Sequence, residues 1–93
     1  MANQLVNRQI LDVRSQEEFH EFPLPSALHI PIDELLHRHR ELDYGTPYII
    51  ICAHGVRSIT ACEYLLSKGY DAINYPGGIA ALLEQPLPLK FSS

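Results

Sequence analysis

The sequence predicts a small α/β domain in three layers, with a mostly parallel central sheet and helices on both of its faces. Short apolar stretches typical of buried strands alternate along the chain with segments of helical periodicity. The run YIII at 48–51 is apolar throughout, as in a central strand that is covered on both faces. A length of 93 residues suffices for one hydrophobic core. We therefore expect a single domain over 1–93, in which the proline-containing segment 85–93 forms an extended tail.

The N-terminal part is predicted to contain a strand, a short helix and a second strand. QILDV at 9–13 is typical of a short buried strand. Ser15 and Glu18 have the spacing of a capping box, which predicts a brief helix over 16–21. The prolines that follow exclude a continuous helix and bracket a small strand at 27–30.

The rest of the chain continues the alternation. Apolar residues at helical spacing predict a helix after Pro31; they are Ile32, Leu35, Leu36 and Leu42. A second amphipathic helix is predicted to begin at Ser58 and to end before Gly69. Its predicted buried residues are Ile59, Cys62, Leu65 and Leu66. A strand at 71–75 and a small helix at 79–84 complete the pattern.

Composition and charge exclude several classes of protein. The formal charge of −4 argues against binding of nucleic acid, which requires a basic face. The longest apolar run, at 48–53, is too short to cross a bilayer, so we expect no membrane partner. The first 13 residues show no signal-peptide pattern. Two cysteines do not form a disulfide framework, so we expect free thiols and a cytoplasmic location.

The stretch CAHGVRS at 52–58 carries the predicted chemistry. Ligands of a parallel α/β sheet bind where strands end and loops lead into helices, and Cys52 lies at such a point. Gly55 lets the loop turn its backbone N–H groups inward, and the helix N-terminus and Arg57 add positive charge. Only about 3% of an ordinary cysteine is thiolate at pH 7, and a decrease of about two pKa units raises this to roughly three quarters.

Three segments together resemble the single-domain rhodaneses, a family of sulfurtransferases. They are LDVRSQEEF at 11–19, CAHGVRS at 52–58 with the helix ACEYLLSKGY after it, and YPGGIAAL at 75–82. They stand in the order of the family and cover nearly the whole chain. The resemblance implies a rhodanese-like fold.

The resemblance also implies a two-step sulfur transfer. Cys52 would attack the outer sulfur of a small anionic donor such as thiosulfate and hold it as a persulfide. Cyanide or a thiol, including a protein thiol, would then accept the sulfur. The loop that binds the donor and the persulfide would consist of Ala53, His54, Gly55, Val56, Arg57 and Ser58. No cofactor is expected. No metal site is expected either, because His37 and His39 are two positions apart on a predicted helix and point to different faces of its solvated end.

Two other functions stay open. One is a persulfide carrier or regulatory module with little turnover of free substrates, which would keep the same cysteine. The other is a phosphatase or arsenate reductase, but the six residues from Cys52 to Arg57 are one fewer than in those relatives of the fold, so a single sulfur atom is favoured. FPLPSA at 22–27 stands where rhodaneses usually have GHIPGA, and Leu82 where tryptophan is common, which leaves the physiological donor open.

Several candidate residues also have ordinary structural interpretations. Cys62 is expected to pack in the core and not to act as a resolving thiol. His54 is equally compatible with substrate positioning and with an exposed loop position. Arg57 could instead hold the loop in place. Asp12 and Arg14 are expected to form a salt bridge that supports the turn.

Overall fold

The structure, a computed structural model, describes residues 7–84 as four strands, four α-helices and two 3₁₀ turns. The strands are β1 (Gln9–Asp12), β2 (Leu28–His29), β3 (Pro47–Ile51) and β4 (Asp71–Asn74). The helices are α1 (Gln16–Glu21), α2 (Leu35–Arg38), α3 (Arg57–Ser67) and α4 (Gly78–Glu84), with the 3₁₀ turns Ile32–Glu34 and His39–Glu41 on either side of α2. None of the helices within this range is long and apolar enough to cross a membrane. The predicted tail at 85–93 lies outside the described residues.

All pairings in the sheet are parallel, which confirms the predicted α/β class. The strand order is β2-β1-β3-β4, so β1 and β3 form its centre. Their register runs from Gln9 opposite Tyr48 to Asp12 opposite Ile51. Because parallel strands all end at the same edge, the segments that follow β1, β3 and β4 come together there.

The two faces of the sheet bury separate hydrophobic clusters. Side chains alternate along β3, so Ile49 and Ile51 pack with Ile79 of α4 on one face. Ile50 packs on the other face with Leu65 of α3. Cys52 follows Ile51 and continues the alternation, so its thiol lies on the face covered by α3.

The buried stripe of α3 differs from the predicted one. Its buried residues are Ser58, Ala61, Cys62 and Leu65. Ile59 is 46% exposed and Leu66 is 52% exposed, so their predicted burial was wrong. The stripe follows the spacing i, i+3, i+4, i+7 from Ser58, which places these two residues just beside it.

The segment after Pro31 also departs from the prediction. It forms one turn of α-helix between two 3₁₀ turns and not a continuous helix, and Leu36 is 63% exposed. His39 is not fully solvated as predicted, because its Nδ1 lies 3.2 Å from the Tyr70 hydroxyl. Its ring also packs edge-on against Tyr64.

Candidate active site

The loop between β3 and α3 depends on close contact with α4. Gly55 has φ +88°, and a Cβ at this position would lie 2.6 Å from the backbone nitrogen of Gly77. The amide of Ile79 donates to the carbonyl of Cys52 at 2.8 Å, and the amide of Ala80 donates to the carbonyl of Ala53 at 3.0 Å. The first turn of α4 therefore fixes the start of the loop through two backbone hydrogen bonds.

The sulfur of Cys52 accepts hydrogen bonds from the loop and from the start of α3. The backbone N–H of Gly55 donates to Sγ at 3.1 Å, and the backbone N–H of Ser58 donates at 3.3 Å. The hydroxyl of Ser58 lies 3.3 Å from the same sulfur. The Cys52 side chain is only 1% exposed, so these contacts act where water screens little. Two amides of the predicted loop thus point at the sulfur.

The surroundings lower the pKa of Cys52 below its ordinary value. Burial by itself raises the pKa, but the hydroxyl and amide of Ser58, with the amides of Gly55 and His54, outweigh burial by stabilising the thiolate. Cys62 has the opposite shift, because burial and the charge of Glu63 raise its pKa. Both cysteines are free and buried. Only Cys52 lies where its anion is stabilised.

Asn74 is a site residue that the sequence motifs do not indicate. It ends β4, and its Oδ1 accepts a hydrogen bond from the Ser58 hydroxyl. The Ser58 hydroxyl thus lies between two acceptors, Asn74 Oδ1 and the Cys52 sulfur, and its one hydrogen can turn to the sulfur when the thiolate forms. The signal available in the sequence was a polar residue at the end of a predicted strand, at the edge where Cys52 also lies.

Arg57 is paired with Glu18 of α1. One guanidinium nitrogen of Arg57 donates to Glu18 Oε2 at 2.9 Å. The hydrogen bond from Arg57 is the main cause that lowers the pKa of Glu18 to about 2. The pKa of Arg57 is raised, chiefly by Glu18 and to a smaller extent by the charges of Cys52 and Asp12. From the sequence alone, Glu18 is predicted only as part of the capping box of α1.

Asp12 and Arg14 form a buried ion pair beside the loop. The Asp12 side chain is fully buried and that of Arg14 is 3% exposed. Nη2 of Arg14 donates to Asp12 Oδ2 at 2.7 Å and to the carbonyl of Phe22 at 2.7 Å. Nη1 donates to the carbonyl of Glu18 at 3.1 Å. The pair joins the end of β1 to α1 and to the residue that follows α1, in agreement with the expected salt bridge that supports the turn.

The remaining loop residues lie at the rim. His54 and Val56 are exposed, and the exposed fraction of Val56 is 70%. Ala53 is half-buried and, with His54, lines a cavity of about 230 Å³. Glu18 and Phe22 line the same cavity from α1 and the residue after it. This cavity is the space beside the cysteine loop in which a small molecule can lie.

The chain as a whole is similar to known proteins. The family model described as a rhodanese-like domain matches residues 1–85 of this chain. The chain belongs to the rhodanese-like family. This confirms the family that the sequence motifs had indicated.

Relatives of this rhodanese-like protein carry sulfurtransferase names. The Bacillus subtilis protein YtwF, named as a sulfurtransferase, is 36% identical over 72 residues, which are 77% of this chain and 70% of YtwF. The thiosulfate sulfurtransferase GlpE of Shewanella oneidensis is 30% identical over 87 residues, with 86% of each chain covered. The crystal structure of a rhodanese-related protein from Thermoplasma volcanium superposes with a TM-score of 0.84 at 32% identity, covering 92% of this chain and 86% of that one. These relatives support membership in a family of sulfurtransferases.

Proposed function

We propose that this protein transfers sulfane sulfur from thiosulfate or a related donor to cyanide or a thiol, through a persulfide on Cys52. The observation that supports this most directly is the set of hydrogen bonds to Cys52 Sγ from the amides of Gly55 and Ser58. They favour the thiolate, which is the nucleophile, and they can stabilise the anionic sulfur that it receives. The remaining residues of the loop, Ala53, His54, Val56 and Arg57, form the rim against which the donor binds.

The first step loads the cysteine. The Cys52 thiolate attacks the outer sulfur of thiosulfate, the sulfur–sulfur bond of the donor breaks, and sulfite leaves with the electron pair. The loop amides stay directed at the sulfur during this exchange, so the new persulfide forms in a site that needs no rearrangement of solvent. No net oxidation takes place, because one sulfane sulfur changes its carrier.

The second step returns the thiolate. Cyanide or an acceptor thiolate, including one on a protein, attacks the outer sulfur of the persulfide, and the electron pair of the broken bond returns to Cys52. The exchange balances without a cofactor. A reducing compartment such as the cytoplasm keeps Cys52 and Cys62 as free thiols, and this location stays a prediction.

A persulfide carrier or regulatory module is the second candidate. The observation that favours it is the 1% exposure of the Cys52 side chain, which restricts the approach of free substrates. A carrier would be loaded quickly by a protein persulfide but would turn over free thiosulfate slowly. The geometry does not favour the phosphatase alternative, because the amides of Gly55 and Ser58 both point at the Cys52 sulfur itself.

Loading of a single cysteine tests the proposal. The protein is incubated with thiosulfate, freed of excess donor and measured by intact mass, beside the variants Cys52→Ser and Cys62→Ser. We expect one added sulfur atom on the wild-type protein and on Cys62→Ser, and none on Cys52→Ser. Addition of cyanide should then remove the sulfur and release thiocyanate in equal amount.

Two results would contradict the proposal. One is that the added sulfur persists in Cys52→Ser, which would place it on Cys62. The other is hydrolysis of an aryl phosphate by the wild-type protein that is lost in Cys52→Ser, which would restore the phosphatase alternative.

A further inference from the structure

The arginines at the mouth of the site are already paired. Arg57 binds the carboxylate of Glu18 at 2.9 Å. Arg14, which lines the cavity beside the loop, is bound to Asp12 and is buried. Each guanidinium thus faces a carboxylate, so neither offers an unbalanced positive charge to a donor.

Glu18 is held in this position by its own helix. The backbone N–H of Ser15 donates to Glu18 Oε1 at 3.0 Å, while Arg57 binds the other carboxylate oxygen, Oε2. The Ser15 hydroxyl in turn accepts from the Glu18 amide at 3.2 Å, which completes the capping box of α1. Both oxygens are therefore engaged, and the carboxylate cannot swing away from Arg57 without breaking the cap.

The cavity itself is partly acidic and partly apolar. Glu21 of α1 adds a second carboxylate to its lining. Phe22, Ile79 and Leu83 supply apolar surface, and the side chains of Phe22 and Leu83 are 39% and 63% exposed. Among the charged residues that line the cavity, the carboxylates of Glu18 and Glu21 are accompanied by one guanidinium, that of Arg14, which Asp12 already neutralises. A compact dianion gains little here, whereas a molecule with an apolar portion can cover Phe22 and Leu83.

From these contacts we infer that the preferred donor is an organic persulfide with an uncharged carrier group, and that Glu18 selects it against the thiosulfate dianion. The inference rests on the proposed persulfide chemistry of Cys52 and names the class of its donor. The cavity of about 230 Å³ is lined by Ala53, the residue that follows Cys52, so a carrier group that lies there brings its outer sulfur to the cysteine loop.

The transfer is balanced for this donor class. The Cys52 thiolate attacks the outer sulfur of R–S–SH, the bond between the two donor sulfurs breaks, and R–S⁻ leaves with the electron pair. The outer sulfur keeps its proton and becomes the terminal sulfur of the Cys52 persulfide. Sulfane sulfur is neither oxidised nor reduced, so no further reactant is required.

The substitution Glu18→Gln isolates the charge of Glu18. Glutamine keeps the capping box, because its side-chain oxygen can accept from the Ser15 amide, but it no longer neutralises Arg57. The rate of Cys52 loading is measured for thiosulfate and for 2-hydroxyethyl persulfide at low salt, in the wild-type protein and in the variant. We expect thiosulfate loading to rise about fivefold to tenfold in Glu18→Gln. Loading by 2-hydroxyethyl persulfide should gain less, so the ratio of the thiosulfate rate to the persulfide rate should rise several-fold.

Glu17→Gln is the matched control. Glu17 is exposed on the same helix, and its substitution removes the same charge without freeing Arg57. Loading by both donors should change less than about twofold in this variant. The gain of Glu18→Gln with thiosulfate should also shrink at about 0.5 M salt, because screening weakens the attraction to Arg57.

The outcomes separate this inference from the proposed function. Faster loading of the wild-type protein by thiosulfate than by 2-hydroxyethyl persulfide would overturn the inference, and so would an unchanged donor ratio in Glu18→Gln. In both cases the Cys52 persulfide would remain supported. If neither donor adds sulfur to Cys52 in any variant, the proposed function itself fails.

Discussion

The two cysteines show how position decides the chemistry of a residue. Cys52 and Cys62 are both buried, at 1% and 7% exposure, and both pack in the same hydrophobic cluster. Cys52 alone faces backbone N–H groups, because it lies before the N-terminus of α3, whereas Cys62 lies inside that helix. The pKa of Cys52 is lowered and the pKa of Cys62 is raised accordingly. Reactivity with thiol reagents should follow the same order.

The hydroxyl of Ser58 is expected to support the thiolate. In Ser58→Ala the sulfur keeps its amide donors but loses the hydroxyl, so the pKa of Cys52 should rise. Alkylation of Cys52 by iodoacetamide, followed by mass spectrometry across pH 5 to about 10, measures this change. The profile should move to higher pH in Ser58→Ala, with a several-fold slower reaction near neutral pH. Ser67→Ala, at the other end of α3, is the control, and an equal profile in both variants would refute the role of Ser58.

At the scale of elements, the cysteine loop between β3 and α3 is in close backbone contact with α4. Gly78 begins α4 with φ +60°, and a Cβ there would lie 2.7 Å from the carbonyl carbon of Ala53. The amides that follow it hold the Cys52 and Ala53 carbonyls. Gly77, the residue before it, also has a positive φ, +81°, and a Cβ there would lie 2.6 Å from the Cβ of Ala81. The shape of the cysteine loop therefore depends on a helix that follows it by more than twenty residues.

Gly78→Ala should damage both stability and loading. The added methyl group meets backbone atoms of the loop, which cannot rotate away, and the positive φ is unfavourable for alanine, so we expect a loss of about 2–4 kcal/mol. Gly45→Ala is the control, because its nearest neighbour would be Asp43 Oδ1 at an ordinary 3.7 Å. Urea denaturation of both variants gives the free energies of unfolding. Equal stabilities, or unchanged loading of Cys52 in Gly78→Ala, would show that the loop does not depend on this contact.

At the scale of the whole molecule, the ion pairs differ in how deeply their charged groups are buried. Asp12 and Arg14 are almost completely buried at the centre of the sheet edge. Arg8 and Asp71 form a bond of similar length, 2.9 Å, but the Asp71 side chain is 57% exposed. A buried charge that loses its partner is costly, whereas an exposed one is solvated by water.

Arg14→Met should therefore cost far more than Arg8→Met. Loss of Arg14 leaves the Asp12 carboxylate buried without its partner, and we expect a decrease of about 3–5 kcal/mol in the free energy of unfolding. Arg8→Met removes a half-buried guanidinium and its bond to the Tyr48 carbonyl but leaves Asp71 exposed to water, so we expect a decrease of about 1 kcal/mol. Both values are obtained from urea denaturation at neutral pH. Similar losses in the two variants would mean that the buried pair contributes no more than the exposed one.

Sequence periodicity predicted most of the helices and strands correctly but did not predict the burial of every apolar side chain. The capping box of Ser15 and Glu18 and the positive φ of Gly69 agree with the sequence, because each depends on neighbours a few residues away. The exposure of Ile59 and Leu66 does not, because an apolar residue beside the stripe of a helix is buried only if another element covers it. Periodicity predicts which face of a helix is buried, but it does not predict how wide a part of that face the neighbouring elements cover.

By itself the sequence determined the fold class, the family and the place of the candidate nucleophile. The amides of Gly55 and Ser58 that reach Cys52 are within six positions of it, so a local pattern was enough to predict them. Only the tertiary structure decided which partners the side chains around Cys52 bind. Glu18 meets Arg57 and Asn74 meets Ser58 across 39 and 16 positions. These pairs form because parallel strands bring their carboxyl ends to one edge of the sheet, which no local spacing records.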